Sequence, residues 1–187
     1  MSKYIGFTII EILISLAILL SLISIGIPSL NNFLVSSRVD SEIVSLQRLL
    51  LIARNAALTN NSKVTLCPLD SQSRCTNLWQ DKISVFIDIN NNKVFEPNLS
   101  EKIIAQKSAI KLGDKLQYGK TRIGLTYAST GHLSGWGQNA TFSYCPENHS
   151  DKNRGIVVAP SGRSYISATN KSNTANIRRT GKKIACS

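Results

Sequence analysis

The chain has 187 residues, with 22 Lys+Arg against 11 Asp+Glu and a formal net charge of +11. That length suits one domain, or one domain with a tail. Hydrophobic residues make up 42%, enough for a core, which excludes wholesale disorder. Two His and four Cys are too few and too scattered for a zinc ribbon or a haem protein. The charge is uneven: residues 1–114 hold 11 basic and 9 acidic side chains, residues 115–187 hold 11 and 2, and no acid follows Asp151. This asymmetry points to an anionic partner, nucleic acid or a phospholipid surface, against the plainer reading of a solvated basic face.

The first element is an apolar run. Between Lys3 and Arg38 the only charged residue is Glu11, and residues 7–30 read FTIIEILISLAILLSLISIGIPSL. About 20 apolar residues span a bilayer. A secretory signal would have a shorter apolar core followed by a small-residue cleavage site, and none follows here. Lys3 ahead of the run places residues 1–6 in the cytoplasm and the remainder outside it. Glu11 is the anomaly, because a carboxylate in a membrane helix is costly and usually has a partner. A Glu reaching back to the headgroups is the simpler alternative.

Gly6-Phe7-Thr8-Ile9-Ile10-Glu11 resembles the signal of type IV pilins and type II secretion pseudopilins. That family has a short basic leader ending in Gly, then Phe-Thr-Leu-Ile-Glu and an apolar helix; here Ile9 stands where Leu is usual. The resemblance implies cleavage between Gly6 and Phe7 by a prepilin peptidase and N-methylation of Phe7. It also implies that Glu11 meets the terminal amine of a neighbouring subunit during assembly.

Beyond Gly26 and Pro28, which interrupt the pattern and predict a kink, Val35, Val39, Ile43, Leu46, Leu50, Ala53 and Ala57 recur at spacings of three and four. This is one apolar stripe at helical period, suited to packing on a sheet. Arg38, Glu42, Ser45, Arg48 and Asn55 fall on other faces, and the Asn60-Asn61-Ser62 cluster ends the helix. Short apolar runs then predict strands over 64–67, 83–88, 102–106, 122–127, 141–145, 155–159 and 164–167, an antiparallel sheet domain. The polar stretch 167–180 reads as a loop or hairpin.

Within this domain Val-Thr-Leu-Cys-Pro at 64–68, Trp79, Val-Phe-Ile-Asp-Ile-Asn-Asn-Asn at 85–92 with a following Glu, and Ser-Gly-Arg at 161–163 resemble the GspH/FimT group of minor pilins and pseudopilins. That resemblance implies a subunit at the fibre tip or in the assembly-priming complex of a type IV pilus. The equivalent role in type II secretion is the alternative.

Cys67, Cys75, Cys145 and Cys186 all lie in the exported part, where an oxidising compartment favours disulfides. Of three connectivities, the preferred one joins Cys67 to Cys75 in a short loop and Cys145 to Cys186 as a clip on the C-terminus. A four-thiolate metal site needs close Cys pairs, which are absent. The C-terminal segment carries Arg163, Lys171, Arg178, Arg179, Lys182 and Lys183 with no acid nearby. Such a cluster neutralises phosphates in a salt-dependent way without reading sequence, and Tyr165 is available to stack on a base. FimT-like proteins are associated with DNA capture in natural transformation through a Gly-Arg-x-Arg motif. Gly162-Arg163-Ser164-Tyr165 keeps Gly and the first Arg and has Tyr for the second.

Other chemistry is poorly supported. Asp88-x-Asn90-x-Asn92 has the opening spacing of a calcium loop, but Lys93 and Leu99 stand where Gly and Glu are needed, and an Asn-rich turn accounts for it better. His132 and His149 are isolated, the glycine-rich stretch 131–137 lacks the strand-to-helix context of a phosphate loop, and no nucleophile or nucleotide motif occurs.

The sequence therefore predicts an α+β, pilin-like protein: leader 1–6, transmembrane and assembly helix 7–30, amphipathic helix half 31–58, and a periplasmic β-rich domain 59–187. It is read as a minor pilin without enzymatic activity, metal or cofactor. It would start as a single-pass inner-membrane protein and later join a pilus. Its expected partners are major and minor pilins, prepilin peptidase, the inner membrane and double-stranded DNA.

Overall fold

The computed structural model describes residues 8–119, 121–135, 140–169, 176–177 and 184, with only the backbone of residues 28, 140, 168–169 and 176–177. It divides into two compact units, one ending at Ser37 and the other Arg38–Ser187.

One helix, α1, runs Ile9–Thr59. Its part in the first unit is uninterrupted across Gly26 and residue 28. Every side chain described there from Thr8 to Leu34 is exposed, including Ile10, Leu20 and Ile25 at 63%, 66% and 73%. Serines interspersed among these apolar residues turn inward on the helix itself. Ser15 donates to the Glu11 carbonyl, Ser21 to that of Ala17 and Ser24 to that of Ser21, each at 2.8 Å. Satisfying a hydroxyl inside its own helix removes its need for water, so the serines do not penalise a lipid environment.

In the second unit, 38–59 of α1 is amphipathic. Val39, Ile43, Leu46, Leu50, Ala53 and Ala57 are buried, as is Val35 in the first unit; these are the residues of the stripe read from the sequence. The helix ends where Asn61 adopts φ 47° and the Ser62 amide donates to the Ala57 carbonyl at 3.3 Å, a left-handed closure of the last turn to which Asn is suited.

The strands are β1 (Val64–Pro68), β2 (Ile83–Ile87), β3 (Ile103–Lys107), β4 (Lys115–Tyr118), β5 (Leu125–Tyr127), β6 (Ala140–Cys145), β7 (Arg154–Val158), β8 (Ser164–Ile166), β9 (Ala168–Thr169) and β10 (Asn176–Ile177). They form two four-stranded antiparallel sheets, ordered β3-β2-β1-β5 and β4-β6-β7-β8, and a separate β9–β10 ladder. β4 was not anticipated from the sequence, and the expected sheet is split in two. Within the polar stretch after Ser167, β9 and β10 pair antiparallel.

An aromatic cluster joins the two sheets. Trp79, from the β1–β2 connection, is buried and meets Tyr118 of β4 and Phe142 of β6 edge-on at 5.3 and 5.1 Å, while those two rings stack at 4.2 Å. The Trp79 indole N–H donates to the Arg122 carbonyl at 2.6 Å. A buried indole keeps its polar atom satisfied in this way. Cys67 of β1 is joined to Cys75.

Candidate functional site

The sequence singles out two regions: the apolar half of α1 and the basic C-terminal part of the chain. Thr8 opens the helix. Its hydroxyl accepts from the Glu11 amide at 3.4 Å and its carbonyl from the same amide at 3.2 Å. Thr8 and Glu11 thus have the S/T-x-x-E spacing of a capping box, in which the fourth residue is an acid. This second use of the Thr-x-x-Glu pattern was missed in the sequence, although the spacing displays it. Glu11 is exposed and sits in the first turn, where the helix dipole favours a carboxylate. Gly6 and Phe7 lie outside the described residues.

Three ion pairs fix the amphipathic half of α1 to the sheets. Arg38 Nε lies 3.0 Å from Asp114 Oδ2, Asp40 pairs with Arg154 at 2.5 Å, and Glu42 pairs with Lys107, whose side chain is 7% exposed. Asp114 also accepts from the Tyr144 hydroxyl at 2.5 Å and the Glu147 amide at 2.9 Å. Burial raises the Tyr144 phenol above its usual range, and the bond to Asp114 adds to the rise. Arg38 and Glu42, assigned to other faces of the helix by the sequence, flank the buried stripe and are half-buried.

The Asn-rich loop is organised by carboxylates that accept from the chain itself. Asp88 is buried and accepts from Thr65 Oγ1 at 2.6 Å and from the amides of Asn92 and Lys93 at 3.1 and 3.2 Å. Glu101 accepts from the amides of Ile89 and Glu96 at 3.0 and 2.8 Å. Glu96 accepts from the side-chain amides of Asn90 and Asn92 at 2.8 and 2.7 Å. Internal donors thus occupy the oxygens that a calcium ion would use, and Asn91 and Lys93 take positive φ, as an Asn-rich turn requires.

On the basic side, Arg163 is exposed in the turn between β7 and β8. The Ala159 amide donates to the Arg163 carbonyl and the Gly162 amide to the Ala159 carbonyl, both at 2.9 Å. Tyr165 lies on β8 opposite Val157 and is half-buried. Lys171, Arg178, Arg179, Lys182 and Lys183 lie outside the described residues. Cys145 is disulfide-bonded, and Cys186, the one cysteine left to pair with it in the sequence, is likewise outside them. Ile184, close ahead of Cys186, is buried against Gly155, where a Cβ would come within 2.8 Å of its Cδ1.

Residues 42–162, well over half of the chain, match the family described as type II transport protein GspH. The chain belongs to the GspH family. The matched region of this GspH-family chain starts at Glu42 and stops just ahead of Arg163, so most of the apolar helix and the basic C-terminal segment lie beyond it. No curated protein matches the sequence significantly. Among solved structures the chain is similar to the Pseudomonas aeruginosa type IV minor pilin FimU in two crystal forms. One has a TM-score of 0.55 at 16% identity, covering 76% of this chain and 96% of that one. The other has 0.50 at 15%, covering 74% and 94%. At that identity the likeness is one of fold: a long N-terminal helix packed on antiparallel sheets.

Proposed function

We propose that this GspH-family chain is a minor type IV pilin, a fibre subunit that acts at the tip or in the priming complex. The observation that carries this reading is the apolar half of α1. From Thr8 to Leu34 it exposes every described side chain, so in water it would be insoluble and it needs lipid or other helices around it. It bears Glu11 in its first turn, and the chain has the fold of a minor pilin. In this reading Gly6–Phe7 is the peptidase cleavage site, and the precursor spans the inner membrane with its sheet domain in the periplasm. Glu11 then sets register by pairing with the methylated amine of a neighbour. Changing Glu11 to Ala tests it: the variant should stay in the membrane fraction and be lost from sheared surface fibres. Full incorporation of the variant would remove Glu11 from assembly.

The basic side is the second part of the proposal: it holds double-stranded DNA by its phosphates. Its support is an excess of uncompensated cations. Asp40, Glu42, Asp70 and Asp114 are each paired with a base, and residues 115–187 hold only two acids. A type II secretion pseudopilin is the competing reading, favoured by the name of the matching family. Deleting the gene separates the two, through loss of surface fibres or loss of exported enzymes.

A further inference from the structure

The segment between β3 and β4 closes in a tight turn. The Asp114 amide donates to the Lys111 carbonyl at 3.1 Å, and Gly113, third of the four residues, holds φ +93°. The dihedral calls for glycine there, and a Cβ would collide with the Glu147 carboxylate. Leu112, at the other corner, is 95% exposed, more than any other large apolar side chain among the described residues, those of the apolar half of α1 included. The turn is nevertheless fixed on both sides. Ahead of it Ile110 is buried, and its amide donates to the Gln80 carbonyl at 3.0 Å. Behind it the buried Asp114 carboxylate takes Arg38 at 3.0 Å. The leucine is thus held out in place, with little backbone freedom left to lose on contact.

A single exposed leucine on a globular surface needs no explanation. This one is distinguished by what holds it. Arg38 is the first charged residue after Glu11, and Leu34, the last exposed apolar residue ahead of it, is four positions earlier. Those positions are helical and rise about 6 Å. The Asp114–Arg38 pair therefore ties the turn to the point where the chain leaves its lipid-compatible stretch. Lys111 and Lys115, on either side of Leu112, are exposed and in no ion pair among the described residues. Long stems of this kind lie along apolar surface while their ammonium groups stay with water and phosphate. Asp81 lines the groove beside Leu112, and Glu147 packs on Gly113. Two acids thus offset the two lysines, and the leucine, rather than net charge, leads any contact.

We propose that the Lys111–Asp114 turn rests on the surface of the lipid bilayer that α1 spans, with Leu112 inserted at the headgroup–acyl boundary and Lys111 and Lys115 on lipid phosphates. The inference rests on the membrane-spanning precursor proposed above and adds a second point of contact to it. A single helix holds the sheet domain at one point and leaves it free to swivel. A second, inserted point fixes which side of the domain faces the lipid. Transfer into a fibre then lifts the leucine out together with α1.

The test uses the full chain, oxidised, in nanodiscs of phosphatidylethanolamine and phosphatidylglycerol at one chain per disc. Leu112→Trp reports insertion, its emission being read after subtraction of the parent chain, whose Trp79 is buried. Acyl-brominated lipid should quench it several-fold more than it quenches Ile89→Trp. Ile89 is 52% exposed and follows Asp88, whose amide is bonded to the Lys63 carbonyl, beyond the C-terminal end of α1. In the unsubstituted chain the Gly113 amide should exchange with solvent several-fold more slowly than in Leu112→Asp, a change the fold tolerates at so exposed a site. Equal quenching at the two tryptophan positions, in a chain that resists alkaline extraction, overturns the contact and spares the membrane-spanning reading. A chain that alkaline treatment removes from vesicles of the same lipids overturns both. Protection of Gly113 that appears only when two chains share a disc assigns the turn to a second copy and overturns the lipid contact.

Discussion

Asp114 holds together parts of the chain that are distant in sequence. Its two oxygens take the Arg38 guanidinium, the Tyr144 hydroxyl and the Glu147 amide, and its side chain is fully enclosed. Replacing it with Ala leaves a half-buried arginine and a buried phenol without this partner. Breaking such a pair costs about 3–5 kcal/mol, to be read as a lower urea midpoint for the oxidised protein. Tyr118, Tyr127 and Tyr144 all have phenols raised by burial above the ordinary value near 10. A raised folded pKa gives stability that is whole below pH 10 and is lost as the pH climbs beyond it. Tyrosinate absorbance should therefore rise for these residues only with cooperative unfolding in strong alkali. Smooth ionisation of all tyrosines near pH 10 in a folded protein would contradict their burial. None of these partners was legible in the sequence. Asp114 and Arg38 are separated by 76 positions, and a carboxylate's partner at that range is decided by topology. The same holds for Arg54 and Gly131, separated by 77.

At the scale of elements, local pattern was a good guide where period alone decides. The stripe from Val39 to Ala57 is buried because residues three and four apart share a helix face. Leu50→Ala should cost about 2–5 kcal/mol, and its neighbour Leu51→Ala, at 47% exposure, about 0.5 kcal/mol or less. Equal losses at the two positions would mean the stripe is misassigned. Seven strands were readable within a few residues, since β-branched runs between turn residues mark them. β4 escaped because Lys115–Tyr118 is short, begins with a charged residue and precedes a glycine. The division into two sheets escaped because strand order is no property of any one segment. The Cys67–Cys75 loop has a sequence separation of 8, and chain entropy assigns such a loop about 2.5 kcal/mol. Replacing both cysteines with Ser should lower thermal stability accordingly and leave the aromatic cluster's near-ultraviolet circular dichroism in place. Loss of that signal at low temperature would give the disulfide a larger part in the fold.

For the whole molecule, two kinds of surface divide the work. The first unit offers apolar side chains that only lipid or neighbouring helices suit. The second carries the excess positive charge; Asp40, Glu42 and Asp114 are drawn into pairs that secure α1, and Asp88, Glu96 and Glu101 hold the Asn-rich loop. The membrane-length run and the charge asymmetry were legible at once, because both are sums over sequence. The contacts of the Gly131 carbonyl with Arg54 and with the turn before Arg163 were not announced by any spacing. Arg54 bonds the Gly131 carbonyl, and Gly162, just before Arg163, lies against that same carbonyl. The proposed role requires that this chain be processed and built into a surface fibre. The direct test is the intact mass of the protein recovered from sheared fibres. The expected mass is that of a chain that begins at Phe7 and carries one extra methyl group there. A chain absent from the fibres, and held in the membrane with residues 1–6 still attached, would contradict it.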